Sequence, residues 1–372
     1  MPGRIFILSV LIILFTAPSA FCQSEVLKSV VNNLAYYKQK KDLKYLAQAK
    51  KSVDSVITTR ADSSNLEKMV YRALVNSSIL YIDSLNKLNQ PVTFFGKTVE
   101  LVDRLSANKK IYRFQAELDY SKNCLANVYI RRAFGFVNKS DYNTALQLFL
   151  EAQKYAPSFK QLNAYIAYSN DKLGNLQEAA KYYTSLAEND PARAEYIEAA
   201  SNSYKLLGDT ATALELVKKG RRLLPNDRSL LFDEANICNN RKDYRQLAPL
   251  LPALLDINAN NADIAFVAAN CYDHLNQYDK AESLYLHAID LNNSAYDPIF
   301  NLGLLYLKQS EQRKGKNGAP DIARSAQWLE KANEISPNDI KCLQVLRLVY
   351  AKTGNQDQEN LVNSKLKLLT NQ

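Results

Sequence analysis

The chain is predicted to fold as an all-α solenoid of stacked helix hairpins. Three observations predict this. Small and apolar residues recur at an interval of about 34 residues. The series runs from Ala281 back through Leu247, Ala213, Ala179 and Ala145, and from Tyr285 back through Leu251, Val217, Tyr183 and Phe149. Within a unit, small residues alternate with large ones at helical spacing, as they must where two antiparallel helices approach closely. Glycine and proline are sparse, 10 and 11 in 372 residues, which favours helices in series over sandwiches or barrels.

Residues 1–22 are set apart from the fold. Arg4 gives a short positive region, Ile5 to Phe15 an apolar run too short to span a bilayer as a mature helix, and Ala17-Pro18-Ser19-Ala20 a small-residue ending. The segment reads as a signal peptide cleaved after Cys22, leaving Gln23 first. The alternative is a lipoprotein acylated on Cys22, against which stands Phe21 at a position that normally needs a small residue. Residues 23–125 form a degenerate, repeat-like helical region. Helices are expected over 24–37, 42–57, 66–88 and 98–105. The second puts Leu46, Ala49, Val53 and Val56 on one face, and the third turns Met69, Ala73 and Leu80 inward. Asn89-Gln90-Pro91 ends the third.

The clear array covers 126–372, with about seven repeats. The unit 126–159 carries Ala133, Phe136, Tyr142, Ala145, Phe149, Ala152 and Pro157. The unit 160–193 carries Ala167, Gly174, Ala179, Tyr183 and Pro191. The unit 194–227 carries Tyr204, Gly208, Ala213 and Pro225. In 228–261 the prolines Pro249 and Pro252 intrude on the second helix. Pro249 lies near its start, and Pro252 lies deeper, where it should kink or delay the helix. The unit 262–295 has Ala265, Ala269 and Tyr272 on one helix and Ala281, Tyr285 and Ala288 on the next, joined by a polar turn at His274–Gln277. The sixth unit takes an insertion at 308–321, read as a basic, flexible, solvated loop. Its KGKNG run lacks the ending and the preceding strand of a phosphate-binding loop. Residues 340–372 form a last repeat whose polar second helix suits a solvent-facing cap.

The period, the small residues at the eighth and twentieth positions, the aromatics at the eleventh and twenty-fourth and the closing prolines resemble the tetratricopeptide repeat (TPR). The leader resembles that of exported proteins of the Bacteroidota. The resemblance implies a right-handed superhelix and a binding role. It implies that the first helix of each hairpin lines the concave face.

The formal charge is +9, with the excess concentrated in 24–125, which makes an acidic partner more compatible than a basic one. No GxSxG, HExxH, Walker or GxGxxG motif occurs, and two histidines leave little for acid–base work. The chain therefore reads as no enzyme, with no cofactor and no metal. Four cysteines remain after the leader, Cys124, Cys238, Cys271 and Cys342, without a CxxC spacing. They read as buried free thiols, the alternative in an exported protein being a disulfide between two of them, such as Cys238 and Cys271. Three triplets, Asp54-Ser55-Val56, Asp83-Ser84-Leu85 and Asp209-Thr210-Ala211, resemble the O-glycosylation site of Bacteroidota.

Two columns at one-repeat spacing mark the expected concave face. Asparagines Asn202, Asn236 and Asn270 occupy the ninth position, and phenylalanines Phe232, Phe266 and Phe300 the fifth. An amide offers both donor and acceptor, so a ladder of them can hold an extended peptide backbone without reading its sequence. Phenylalanines beside it can take apolar side chains. The neighbouring charges Glu195, Glu198, Asp263 and Asp273, with Lys205 the main cation, suit a neutral or basic segment better than a carboxylate tail. The other reading is that the asparagines satisfy backbone groups between repeats and the phenylalanines only pack. The expected function is a protein-binding scaffold of the periplasm or cell envelope, with a protein or extended peptide as partner. Alternatives are a lipid-anchored part of an outer-membrane assembly or secretion complex, and an accessory subunit of a glycan-processing enzyme. Nucleic acid is not expected, because an exported protein rarely meets it and no aromatic-basic motif is present. Membrane association is expected only if Cys22 is lipidated.

Overall fold

The computed structural model describes residues 25–190, 193–313 and 318–370. The leader and Cys22 lie outside the described residues. Packing divides the chain into two compact units, 1–190 and 191–372.

In the first unit α1 (Glu25–Lys40) and α2 (Lys44–Ser55) form a hairpin, followed by α3 (Leu66–Ile82) and α4 (Phe94–Ser106). Then come α5 (Gln115–Val137), α6 (Tyr142–Tyr155), α7 (Gln161–Lys172) and α8 (Leu176–Asn189). The expected one-sided face of α3 is too narrow. Val70, Tyr71, Leu74, Val75 and Ile79 are buried as well as Met69 and Ala73, and so are Asn76, Ser77 and Ser78. Helices α2, α4 and α5 surround it, and a helix covered on several sides must be apolar or internally satisfied all round. The hydroxyls of Ser77 and Ser78 meet this need by donating to the Leu74 carbonyl, whereas the buried Asn76 Oδ1 has no partner among the described residues. The helix also stops at Ile82, short of the expected 88. The buried carboxylate of Asp83 accepts from the backbone N–H groups of Lys87 and Leu88, both at 2.8 Å, and folds the chain into a turn. A side chain that bonds its own neighbouring backbone competes with the helix.

The second unit holds α9 (Ala194–Leu206), α10 (Thr210–Leu223), α11 (Arg228–Asn240), α12 (Tyr244–Leu247) and α13 (Leu251–Ile257). It continues with α14 (Ala262–His274), α15 (Tyr278–Leu291), α16 (Tyr296–Arg313), α17 (Ala319–Ile335), α18 (Ile340–Thr353) and α19 (Gln356–Thr370). Helices α12 and α13 are the second helix of one hairpin in two pieces. A 3-10 turn, Ala248–Leu250, separates them, and Pro249 and Pro252 each stand at the start of a new segment. That is where a missing N–H is tolerated. Leu247, Leu250, Leu251 and Leu254 still reach the core.

One position per period takes the left-handed backbone that ends a first helix. It is Ser140 (φ 60°), Gly174 (75°), Gly208 (81°), Lys242 (55°) and Asn276 (58°). The helix crossings keep the same phase. Ala133, Ala167, Ser201 and Ala269 on first helices, and Ala145, Ala179, Ala213, Leu247 and Ala281 on second helices, are all 0% exposed. Gly303 continues the first series, and an added Cβ there would lie 2.7 Å from Leu329 of α17. Among the described residues the chain is all-α, and from α5 onward each helix, α12 and α13 counting as one, packs on the next within its unit as in a solenoid, whereas α3 packs more on α5 than on α4.

The loop expected over 308–321 is corrected. Lys308 to Arg313 extend α16, and Ala319 to Asp321 open α17. The run Lys308-Gln309-Ser310-Glu311-Gln312-Arg313 contains no glycine or proline and mostly good helix formers, so the helix continues. Residues 314–317 of the KGKNG run lie outside the described residues. Arg313 reaches across to Asp321, whose side chain is 1% exposed, at 2.9 Å. Cys124, Cys238, Cys271 and Cys342 are free and buried.

Candidate functional site

The two predicted columns fall on α9, α11, α14 and α16, the first helices of four successive hairpins in the second unit. Each of these helices turns its small residue inward at the eighth position. The ninth position therefore emerges one helical step round, beside the crossing. Asn202 and Asn236 are exposed and Asn270 is half-buried. None of the three amides makes a side-chain hydrogen bond among the described residues, so they do not tie one repeat to the next. Phe232, Phe266 and Phe300 are half-buried. Phe266 lies 6.1 Å from the buried ring of Tyr285, and Phe300 stacks on Tyr296 at 5.5 Å. Those two therefore lend one face to the core and keep part of their surface outside it.

The structure joins these residues in two pairs. Helices α9 and α11 are pinned together by side chains. Ser201 donates to Asp233 at 2.8 Å, Lys205 bonds the other oxygen of the same carboxylate at 2.5 Å, and Ser229 donates to Glu198. Helices α14 and α16 are pinned by Lys308, which reaches both oxygens of Asp273 at 2.9 and 2.7 Å. Between α11 and α14 the described residues carry no such tie.

This changes the reading of the charges along the face. Lys205 is matched by Asp233, and Asp273, 6% exposed, is matched by Lys308. A charge held in a short, partly buried pair has little left for a ligand. The exposed carboxylates Glu195 and Asp263 remain toward solvent. The sequence reading missed Asp233, Ser201 and Ser229, whose partners sit at separations of 28 to 32 residues rather than at a full period. Asp227 precedes α11, accepts from the Leu230 N–H and shares the single Ser229 hydroxyl proton with Glu198, and these contacts hold its carboxyl below the usual range.

In the first unit the same ninth position carries aromatics. Phe134 packs edge-on against Phe149 and Tyr165 at 5.4 and 4.9 Å and belongs to the core. Tyr168 is 41% exposed, edge-on to Tyr142, with Lys172 over its ring at 5.4 Å. Of the three Asp-Ser/Thr-apolar triplets, only that of Ser84 places its hydroxyl residue in an exposed turn outside a helix. Among the described residues no group of three or more His, Cys, Asp or Glu could hold a metal ion. No described helix is long and apolar enough to cross a membrane.

No known protein-family model matches the chain. The BBSome complex member BBS4 of Bos taurus is 24% identical over 181 residues, covering 49% of this chain and 26% of that protein. The chain thus aligns with about a quarter of the length of that relative. Among solved structures, YrrB, described as a TPR protein with an unusual peptide-binding site, is 18% identical with a TM-score of 0.44. The match covers 53% of this chain and 96% of YrrB. A tetratricopeptide repeat protein from Parabacteroides merdae is 17% identical over 66% of this chain and 98% of its own, with a TM-score of 0.41. MamA from Desulfovibrio magneticus RS-1 is 19% identical over 48% and 96% of the two chains, with a TM-score of 0.40. Similarity at these levels says nothing about ligands. Within the molecule itself, the left-handed turn recurs in phase, consecutive helices pack as hairpins, and a small residue is buried at each crossing. That architecture is the fold of a tetratricopeptide-repeat solenoid.

Proposed function

We propose that the chain is a non-enzymatic scaffold of the cell envelope that holds an extended segment of a partner protein along the first-helix face of its second unit. One observation carries this reading. Asn202, Asn236 and Asn270 stand at one-repeat spacing with amides that bond nothing else among the described residues. Unengaged donors and acceptors in a row match the repeating polar groups of an extended backbone. Phe232, Phe266 and Phe300, half-buried beside them, supply the apolar contact that dominates such interfaces. With Lys205 matched by Asp233 and Glu195 and Asp263 exposed, the face favours a neutral or basic segment. The envelope location rests on the leader at 1–22 alone.

The test is a pull-down from cell envelope with the wild type and with Asn202→Ala/Asn236→Ala/Asn270→Ala, helical content being checked by circular dichroism. The expected outcome is that the folded variant loses partners that the wild type retains. Equal recovery by both would reject the face as the binding site.

A further inference from the structure

The turn between α11 and α12 departs from its counterparts one and two periods upstream. Where Gly208 and Gly174 take the left-handed backbone, this turn has Lys242 at φ 55°. A side chain there brings its Cβ against the following carbonyl, a strain that glycine avoids. Ser140 and Asn276 also stand at this left-handed position, so Lys242 is distinguished there by its charge rather than by the strain alone.

The surroundings give that charge a use. Arg241, Lys242, Asp243, Tyr244, Arg245 and His274 line an open depression of about 440 Å³. One side is a face-to-face stack of the Tyr244 and His274 rings, 4.3 Å apart and 5° from parallel. Lys242 and Arg245 are exposed and have no ion-pair partner among the described residues. Arg241 gives one N–H to the Thr210 carbonyl at 3.4 Å and keeps its other donors. Asp243, the carboxylate in the depression, is engaged elsewhere: its two oxygens accept from the backbone N–H and the side-chain amide of Gln246.

The α1–α2 turn makes a useful contrast. It has the same design, Lys40, Lys41 at φ 57°, Asp42 and Lys44. There Lys44 pairs with Asp42 at 3.1 Å, so part of its charge is answered within the turn. At Arg241, Lys242 and Arg245 three fixed cations face one engaged carboxylate, an excess of two positive charges.

We propose that this depression binds the dianionic phosphate of a phosphomonoester. Two charges balance two. Guanidinium groups present forked donors that match phosphate oxygens, and lysine adds a point charge. The volume exceeds what a bare phosphate needs and leaves room for the organic part of the ester beside the Tyr244–His274 stack. The site lies at the turn end of the hairpins and does not depend on the first-helix face described above.

The experiment is calorimetric titration of the full chain with phenyl phosphate, paired with sedimentation on vesicles of phosphatidic acid or of phosphatidylcholine. Saturable binding of phenyl phosphate is expected, at least tenfold weaker in Arg241→Gln/Arg245→Gln and partly retained in Arg241→Lys/Arg245→Lys. Lys242→Gly is expected to weaken binding several-fold while raising the melting temperature by about 2–4 °C, since it relieves the left-handed strain. Opposite movement of affinity and stability separates a binding lysine from a structural one. Capture by phosphatidic acid vesicles as well would identify a lipid headgroup as the source of the phosphate, and binding of phenyl phosphate alone a soluble ester. Absence of saturation in the millimolar range, equal affinity in the glutamine variant, or equal capture by phosphatidylcholine would overturn the proposal.

Discussion

The cysteines show how burial decides chemistry at the scale of single residues. Cys238, Cys271 and Cys342 are 0% exposed and Cys124 is 4% exposed. Burial pushes the Cys124 thiol up to about 12 and the other three up to about 11. At pH 8 roughly one molecule in a thousand carries a thiolate at a group titrating near 11. Native protein is therefore expected to resist maleimide at pH 8, and all four cysteines to react in guanidinium. Rapid labelling of any one in the native state would contradict their placement. Their burial was legible in the sequence, because Cys238 and Cys271 recur near small residues on the inward side of first helices. The role of Asp233 was not legible. It lies one residue from the phenylalanine column and receives both Lys205 and Ser201, a pairing that depends on how far α11 slides along α9. No local pattern encodes that slide.

Two glycines in helices divide cleanly at the element scale. Gly303 of α16 lies against Leu329, with room for no Cβ, whereas Gly135 of α5 meets nothing within 4 Å. Gly303→Ala is expected to cost about 1–3 kcal/mol through overpacking of the α16–α17 crossing. Gly135→Ala is expected to stabilise by about 0.5–1 kcal/mol, since alanine is the better helix former. Denaturant midpoints of the two variants check both, and a stable Gly303→Ala would show that the crossing is looser than described. Helix starts contribute to the pH dependence. The carboxylates of Asp141 and Asp209 accept from the N–H groups of Thr144 and Thr212, and both titrate below the usual value. Their contribution is complete above the unfolded value of about 3.8 and is lost as pH falls below it through the folded values. Acid unfolding should therefore begin near pH 4 and be less steep in Asp141→Asn/Asp209→Asn, which a pH titration of ellipticity would test. Elements broken by proline were legible, as with the split at Pro249 and Pro252, because proline acts on its own backbone. The end of α3 at Ile82 was hidden. It follows from the buried carboxylate of Asp83 bonding Lys87 and Leu88, and Asn-Gln-Pro further on offered a stronger local signal. The extended ends of α16 and α17 were misread as a loop because their basic residues suggested solvent, although nothing in Lys308–Arg313 breaks a helix.

For the whole molecule, the repeat was the most legible feature, since a period is repeated evidence. A small residue falls at the same place on each first helix from Ala133 to Gly303, and one left-handed turn residue follows each first helix from Ser140 to Asn276. The face was legible as register, which placed Asn202, Asn236 and Asn270 outside the crossings. Its charge balance was not, because Lys205 and Asp273 are each taken up by a residue from the next hairpin. The central proposal is that a partner protein lies on the first-helix face of the second unit. Photo-crosslinking tests that most directly. A benzophenone amino acid replaces Asn236 of α11 or, as control, Glu215 on the second helix α10 of the preceding hairpin, whose side chain is 71% exposed. After irradiation of intact cells, the account predicts a discrete protein adduct from position 236 and none from position 215. Adducts of equal yield from both positions, or from 215 alone, would contradict it.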